Sequence, residues 1–379
     1  MNPVYITKAS KYLPNTPIDN DQMEIFLGKV NETASKAKRI VLRNNGITTR
    51  YYALDTQGNS THTNADLTCL AIKGLLDTHF KAADIQVLSC GTSTPDCLLP
   101  SHAAMVHGLL KGSGAVELNS SAGVCNSGMN ALKFAYLSVK SGNSTNAVCT
   151  GSERVSSWLR ANKYESEIQS LTLLQEQPIL AFKKDFLRFM LSDGAGALRL
   201  ESKPHPTEIS LQILWMEAHS YAHQLEACMY AGCEKLSDGT LKAWSDYSPE
   251  QWLEQSIFSI KQDVKLLNEN ILVKGAESMQ AALNKHALSP DEITYFLPHI
   301  SSLYFKDRLY DELKKVGIDI PLERWFLNLP QVGNVGSASP YLMLEELFNS
   351  QKLQKGDTLL LSVPESGRFS YSYALLKVV

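Results

Sequence analysis

The sequence predicts an α/β fold built from two halves of similar layout, and three observations carry that prediction. Short β-branched runs alternate with helical stretches along all 379 residues, the pattern of a sheet covered by helices. One series of helix, Asp-containing turn, buried strand and polar loop occurs twice. It runs from Asn64 through Ala83-Asp-Ile-Gln-Val-Leu-Ser to Cys90-Gly-Thr-Ser-Thr-Pro, and again from Ala276 through Ser289-Pro-Asp-Glu-Ile-Thr-Tyr-Phe-Leu to Pro298-His-Ile-Ser-Ser. Finally, two helices start from runs of small residues, one at Cys125 and one at Gly333-Asn-Val-Gly-Ser-Ala-Ser.

In chain order, strands are expected at Val4–Thr7, Ile85–Ser89, Ala147–Thr150, Gly196–Leu200, Ile293–Leu297 and Thr358–Val363. Each is a short apolar run bounded by polar or turn residues. Helices are expected at Ala65–His79, Ser127–Ser141, Pro249–Glu269 and Glu277–Lys285. The third has a start signal, with Ser248 as N-cap and Pro249 at the first helical position. Residues Lys203 to Asn270 are richer in Trp, Tyr, His and Glu, and part of Ser152–Met190 also reads as extra material. Such insertions usually cap a site or build an interface. The expected organisation is therefore 1–202, a first half; 203–270, a cap and connection; and 271–379, a second half.

Composition removes several function classes. Net charge is −3, with 44% hydrophobic and 20% charged residues, so nothing favours a nucleic-acid or anionic-membrane binder. Seven cysteines show no metal-ligand spacing, and an odd count in a long chain argues against a disulfide framework. The start, Met1-Asn-Pro-Val-Tyr-Ile, lacks the pattern of a signal peptide. No run approaches the ~18 apolar residues of a membrane helix. A reduced, cytoplasmic protein is expected.

Three places can carry chemistry. In Asn119-Ser-Ser-Ala-Gly-Val-Cys125-Asn-Ser-Gly, a polar run leads into a helix that opens at the thiol. Unpaired N–H groups and the positive dipole end there favour a thiolate, and the Cys125 N–H is placed to face an oxyanion. A buried free cysteine that merely packs is the commoner case. His299 ends an apolar strand in Leu297-Pro-His-Ile-Ser, where it serves either as a hydrogen-bonded core residue or as a catalyst if it meets Cys125. Asn334 sits among residues too small to bury it and is either a turn residue or a carboxamide donor.

Together these pieces resemble the β-ketoacyl-acyl-carrier-protein synthase III group of the thiolase superfamily over nearly the whole chain. Thr92-Ser-Thr-Pro-Asp-Cys-Leu-Leu-Pro-Ser is similar to the loop after the family's early strand. Leu191-Ser-Asp-Gly-Ala-Gly-Ala-Leu is similar to the Gly-Asp-Gly-Ala-Gly-Ala pattern that closes its first half. The segments at Cys125, Pro298-His299, and Gly333-Asn334 with Ser339 resemble its nucleophile helix, His strand end and Asn loop. The resemblance implies a thiolase fold, with duplicated βαβαβαββ halves in a five-layered αβαβα core. It also implies catalytic roles for Cys125, His299 and Asn334, an oxyanion hole from the N–H groups of Cys125 and Gly367, a homodimer, and acyl thioesters on coenzyme A or an acyl carrier protein. No cofactor or metal is expected. Because carrier proteins are acidic, Lys306, Arg308, Lys183, Lys184 and Arg188 are candidates for a basic rim.

Three departures set the chain apart from the family pattern. Glycine lies three residues after the Cys rather than two, Ile300-Ser-Ser replaces Gln-Ala-Asn after the His, and Ser366-Gly-Arg replaces the C-terminal Gly-Gly-Gly loop. Val4–Asn15 and Val41–Asp55 are similar to the ketosynthases of dialkylresorcinol and flexirubin biosynthesis. That subgroup implies a Michael addition with a Claisen condensation, giving a 2,5-dialkylcyclohexane-1,3-dione. The alternatives are a decarboxylating synthase III that initiates fatty-acid synthesis, or a non-catalytic ketosynthase partner subunit. A degradative thiolase is disfavoured because the last cysteine is Cys233, and a papain-like protease because its Cys signature is missing.

Overall fold

Apolar side chains on both faces of the central strands decide the architecture, because a sheet buried on two sides must be covered twice. The structure, a computed structural model, describes residues 1–29, 35, 38–163 and 187–379. Its nine main strands are β1 (Tyr5–Tyr12), β2 (Val87–Thr92), β3 (Glu117–Ala122), β4 (Asn146–Glu153), β5 (Gly194–Glu201), β6 (Leu211–Ser220), β7 (Tyr295–Pro298), β8 (Thr358–Glu365) and β9 (Ser370–Val378). They form one hydrogen-bonded sheet in the order β7-β8-β9-β6-β1-β5-β4-β2-β3.

That order contains a repeat. In the first half, β3-β2-β4 pair in parallel, and β5 and β1 follow antiparallel. In the second half, β7-β8 are parallel, and β9 and β6 follow antiparallel. The counterpart of β3 shrinks to a single parallel bridge, Phe296 to Trp325. The halves join where β1 meets β6, through Tyr5–Gln212 and Ile6–Leu211. This duplicated thiolase architecture is the one expected.

Among the described residues, the helices that cover the sheet are α1 (Asn64–Lys73), α2 (His102–Leu109), α3 (Asn126–Ser141), α4 (Val264–Lys285), α5 (Lys306–Lys315) and α6 (Ser339–Phe348). Period-2 alternation assigns their places. Leu198, Leu200, Leu359 and Leu361 pack with Leu132 and Val139 of α3 and Leu344 and Leu347 of α6, forming a middle layer between the two half-sheets. Ala195, Ala197 and Val148 face the other way, onto Leu67 and Ile72 of α1 and Val106 of α2. Leu360, Tyr373 and Leu375 face Met279 and Leu283 of α4 and Leu313 of α5. Five layers result: helix, sheet, helix, sheet, helix. No described helix is long and apolar enough to cross a membrane.

Several boundaries differ from expectation. The first helix stops at Lys73, and Asp77 then accepts the His79 and Phe80 N–H groups in a turn. The helix expected over Pro249–Glu269 breaks at Gln255, with Ser256 at φ +48°. Asp263 caps α4, which absorbs the helix expected at Glu277–Lys285. Residues 211–220, expected within the cap and connection, are strand β6 between β9 and β1. Polar Glu217 and His219 hid that strand; they are spent on the overlying helix, His219 Nδ1 lying 2.9 Å from Ser278 Oγ and Glu217 Oε1 2.8 Å from His286 Nε2.

Candidate active site

The nucleophile candidate sits at a turn built from small residues. α3 follows Cys125 directly, and the Cys125 backbone is already helical at φ −59°, ψ −34°. Ser127 closes the first turn by donating its hydroxyl to Val124 O at 2.7 Å. Gly128, the displaced glycine of the sequence, has a packing reason. A Cβ there would lie 2.2 Å from Ser337 O, and one at Gly151 would lie 2.3 Å from the same oxygen. Two glycines thus let the loop after Asn334 press onto β4 and onto the helix that starts at Cys125. The Tyr341 hydroxyl donates to Gly128 O at 2.8 Å and locks α6 against α3.

His299 follows β7 and extends its pairing, its backbone N–H donating to Ser362 O at 2.8 Å. Asn334 is clipped in place by backbone bonds on both sides, from its N–H to Met190 O and from Ser192 N–H to its own carbonyl, each 2.9 Å. Its Oδ1 accepts from Gly336 N–H at 3.0 Å, which orients the carboxamide and leaves the NH2 end to donate elsewhere. The next residues explain the sequence match at Leu191–Leu198. Asp193 accepts from Ala53 N–H, Ser156 N–H and Ser156 Oγ, and burial pushes its carboxyl up to about 6. Asp193 is a fastener, not a site residue.

Cys125, His299 and Asn334 line one cavity, together with Glu153, Ser93, Ser366 and a large apolar wall. All three are buried. Burial lowers the His299 imidazole to about 4, so it is neutral near pH 7. The thiol departs from expectation. Glu365, at the end of β8, accepts from Val124 N–H at 3.1 Å and Asn126 N–H at 2.9 Å. These amides flank Cys125, and their partial positive charge already serves a carboxylate. Burial, then Glu365, then Glu153 raise the Cys125 thiol, so it rests protonated rather than as the thiolate the helix start suggested.

A direct check follows. Glu365→Gln removes the anion next to the thiol while leaving a carbonyl oxygen to accept from the two amides that now share Oε2. Iodoacetamide should alkylate Cys125 several times faster in this variant at pH 7–8, with the pH–rate profile shifted toward acid. Superimposable profiles for variant and parent would mean the carboxylate does not restrain the thiol.

The remaining sequence candidates divide. Gly367 lies beside the nucleophile turn, where a Cβ would meet Val124 Cγ2 at 3.0 Å. Lys306 is half-buried and Arg308 exposed at the start of α5, the Arg308 guanidinium stacking over Tyr304 at 4.0 Å. Lys183 and Lys184 lie outside the described residues. Arg188 is not on a rim. It is buried, and donates to Leu159 O at 3.0 Å and Gly28 O at 2.8 Å.

Sequence reasoning missed Glu153 and Glu365. Glu153 accepts from Ser93 Oγ and Thr94 Oγ1 at 2.7 Å and Ser337 N–H at 3.1 Å, tying the early loop to the Asn334 loop. The signal was a single acid closing the small-residue strand Thr150-Gly-Ser-Glu. For Glu365 it was an acid directly before the segment expected to be Gly-rich.

Comparison with known proteins agrees with this fold. Residues 283–377 match the family model described as 3-Oxoacyl-[acyl-carrier-protein (ACP)] synthase III C terminal. The β-ketoacyl-[acyl-carrier-protein] synthase III of Clostridium perfringens is 26% identical over 370 residues, covering 97% of each chain. Among solved structures, the tetronic acid condensing enzyme AbyA1 superposes with a TM-score of 0.78 at 21% identity, covering 99% of each chain. OleA from Xanthomonas campestris, solved with bound lauric acid and lauroyl-CoA, gives 0.74 at 19%, covering 100% of this chain and 99% of that one. These likenesses give the chain the fold of its solved condensing-enzyme neighbours and make it similar to the synthase III enzymes, which supports an acyltransferase that forms carbon–carbon bonds.

Proposed function

We propose that the chain condenses two fatty-acid-derived acyl thioesters through an acyl group carried on Cys125, and that it closes a 2,5-dialkylcyclohexane-1,3-dione by a Michael addition with a Claisen condensation. The observation that carries the core of this reading is the meeting of Cys125, His299 and Asn334 on a cavity whose remaining wall is mostly apolar. Cys125 attacks the first thioester as its proton passes to neutral His299, and the coenzyme or carrier thiol leaves with a proton. The acyl group is then stored, which splits one hard step into two. The N–H groups of Cys125 and Gly367 hold the tetrahedral oxyanion. The second thioester becomes a carbon nucleophile by losing CO2 or, from a β-ketoacyl group, an acidic α-proton, its enolate oxygen held by His299 and the Asn334 amide. Attack on the acyl-enzyme carbonyl then forms the carbon–carbon bond and expels the Cys125 sulfur, which regains its proton. No redox or metal chemistry is required for these steps. The resemblance of Val4–Asn15 and Val41–Asp55 to dialkylresorcinol ketosynthases supports the cyclising outcome.

Substrates arrive on coenzyme A or an acidic carrier protein. Lys306 and Arg308 lie between Phe305 and Leu309, which line the cavity, and so suit a carrier docked at its mouth. The test is to incubate purified protein with a β-ketoacyl thioester and an enoyl or acyl thioester, and to identify products by mass spectrometry. A cyclic dione supports the reading. A linear β-ketoacyl product formed only from malonyl thioester would instead favour the initiating synthase named by the Clostridium relative.

The same reading includes a homodimer. β3 pairs with β2 alone among the described strands, leaving one backbone edge open. Leu98, Leu99, Leu118 and Leu137 are exposed, Leu99 at 87%. Light scattering should give twice the chain mass, and Leu118→Asp should shift it toward the monomer. A wild-type monomer would refute the dimer.

A further inference from the structure

The cavity that holds Cys125 continues along one face of α4. Leu267, Ile271, Gly275 and Met279 line it at helical spacing, so this wall extends roughly 18 Å along the helix axis. Tyr371 and Tyr373 also line it. Their hydroxyls donate to Ile271 O at 2.9 Å and Gly275 O at 3.1 Å. The hydroxyl protons of those side chains are thereby spent on the helix backbone, which leaves mostly ring carbon facing the cavity there.

Gly275 is out of place by local rules. It sits near the middle of a 22-residue helix, where glycine costs roughly 1 kcal/mol relative to alanine. Its φ is helical, so no backbone conformation requires it. The space is tight on one side only. A Cβ would meet Tyr371 Cε1 at 3.2 Å and Cδ1 at 3.7 Å, and nothing else within 4 Å. A side chain at 275 would therefore either push the Tyr371 ring, which itself lines the cavity, or project along the cavity wall.

We infer that Gly275 is a specificity-determining residue, which keeps the cavity open for a long saturated or mono-unsaturated acyl chain and sets the length accepted. This rests on the proposed acyl-condensing role and adds to it the residue that selects the substrate. An acyl group attached at Cys125 has an apolar path past Gly275, with no free donor from the two tyrosines to reward a polar tail. A side chain at 275 would occupy that path.

The test uses Gly275→Ala, which adds one methyl with a better helix former, and Gly275→Leu, which fills the space. Saturated fatty acids of 4 to about 16 carbons serve as probes in thermal-shift titrations, and the matching coenzyme A thioesters in intact-mass loading of Cys125. Wild type should be protected most by the longer acids. The alanine variant should lose at least tenfold in affinity for the longest acids while keeping the short ones, and the leucine variant, if folded, should retain only the short ones. Equal chain-length profiles in wild type and the alanine variant would overturn the inference. The two readouts separate it from the proposed function: fatty-acid protection that changes with residue 275 but no adduct on Cys125 would sink the acyl-enzyme and keep the length selector.

Discussion

Cys125→Ala is expected to give a folded protein that takes up no acyl group from any thioester, with product formation lower by on the order of 10⁴-fold or more, the scale of losing a nucleophile. The fold should survive. Cys125 donates no side-chain hydrogen bond that caps α3, its turn is held by Glu365 and Ser127, and the loss of one sulfur from the middle layer costs on the order of 1 kcal/mol. Intact mass after incubation with an acyl-coenzyme A reads the result: wild type gains the acyl mass and the variant does not. An acyl adduct at full occupancy in the variant would remove Cys125 from the chemistry.

His299→Ala and Asn334→Ala should separate the two half-reactions. Asn334→Ala leaves the nucleophile and its oxyanion amides in place, so Cys125 should still load, while condensation falls by roughly 10²–10³-fold, the cost of one lost donor. His299→Ala removes a second donor as well as the proton acceptor, and should slow loading too. Because burial holds the imidazole at about 4, His299 is already neutral at pH 5 and stays so as pH rises. The wild-type single-turnover rate of condensation should therefore show no acid limb from this group between pH 5 and 8. A rate that falls with a midpoint near 6.5 would mean that the imidazole is solvated as in water, contrary to its burial. Condensation unaffected by Asn334→Ala would leave its carboxamide a turn residue.

The legible parts of the fold were those with strong local periodicity. The strands at Ala147–Thr150, Gly196–Leu200 and Thr358–Val363 and the helix after Cys125 all lie within a few residues of the predicted ends, since each is buried on defined faces. β3 was missed because Glu117-Leu-Asn-Ser-Ser-Ala carries almost no apolar signal and lies exposed at the sheet edge. β6 was missed because its polar residues are satisfied by α4, a partner about 60 residues away that no local window contains. At the site, Cys125, His299 and Asn334 could be named from residue types at the starts of small-residue loops. Arg188 could not be judged, since its carbonyl partners come from Leu159 and Gly28.

The chain by itself determined the alternation of strands and helices, their repeated order and which thiol, imidazole and carboxamide were available, because those follow from periodicity and from side-chain chemistry in local order. The five-layered thiolase arrangement, by contrast, was implied by the family resemblance. Only the tertiary structure decided the state of the sulfur. Glu365 reaches the amides of Val124 and Asn126 from about 240 residues downstream, and a thiol's proton affinity depends on what charge and how little water surround it, which linear order does not encode.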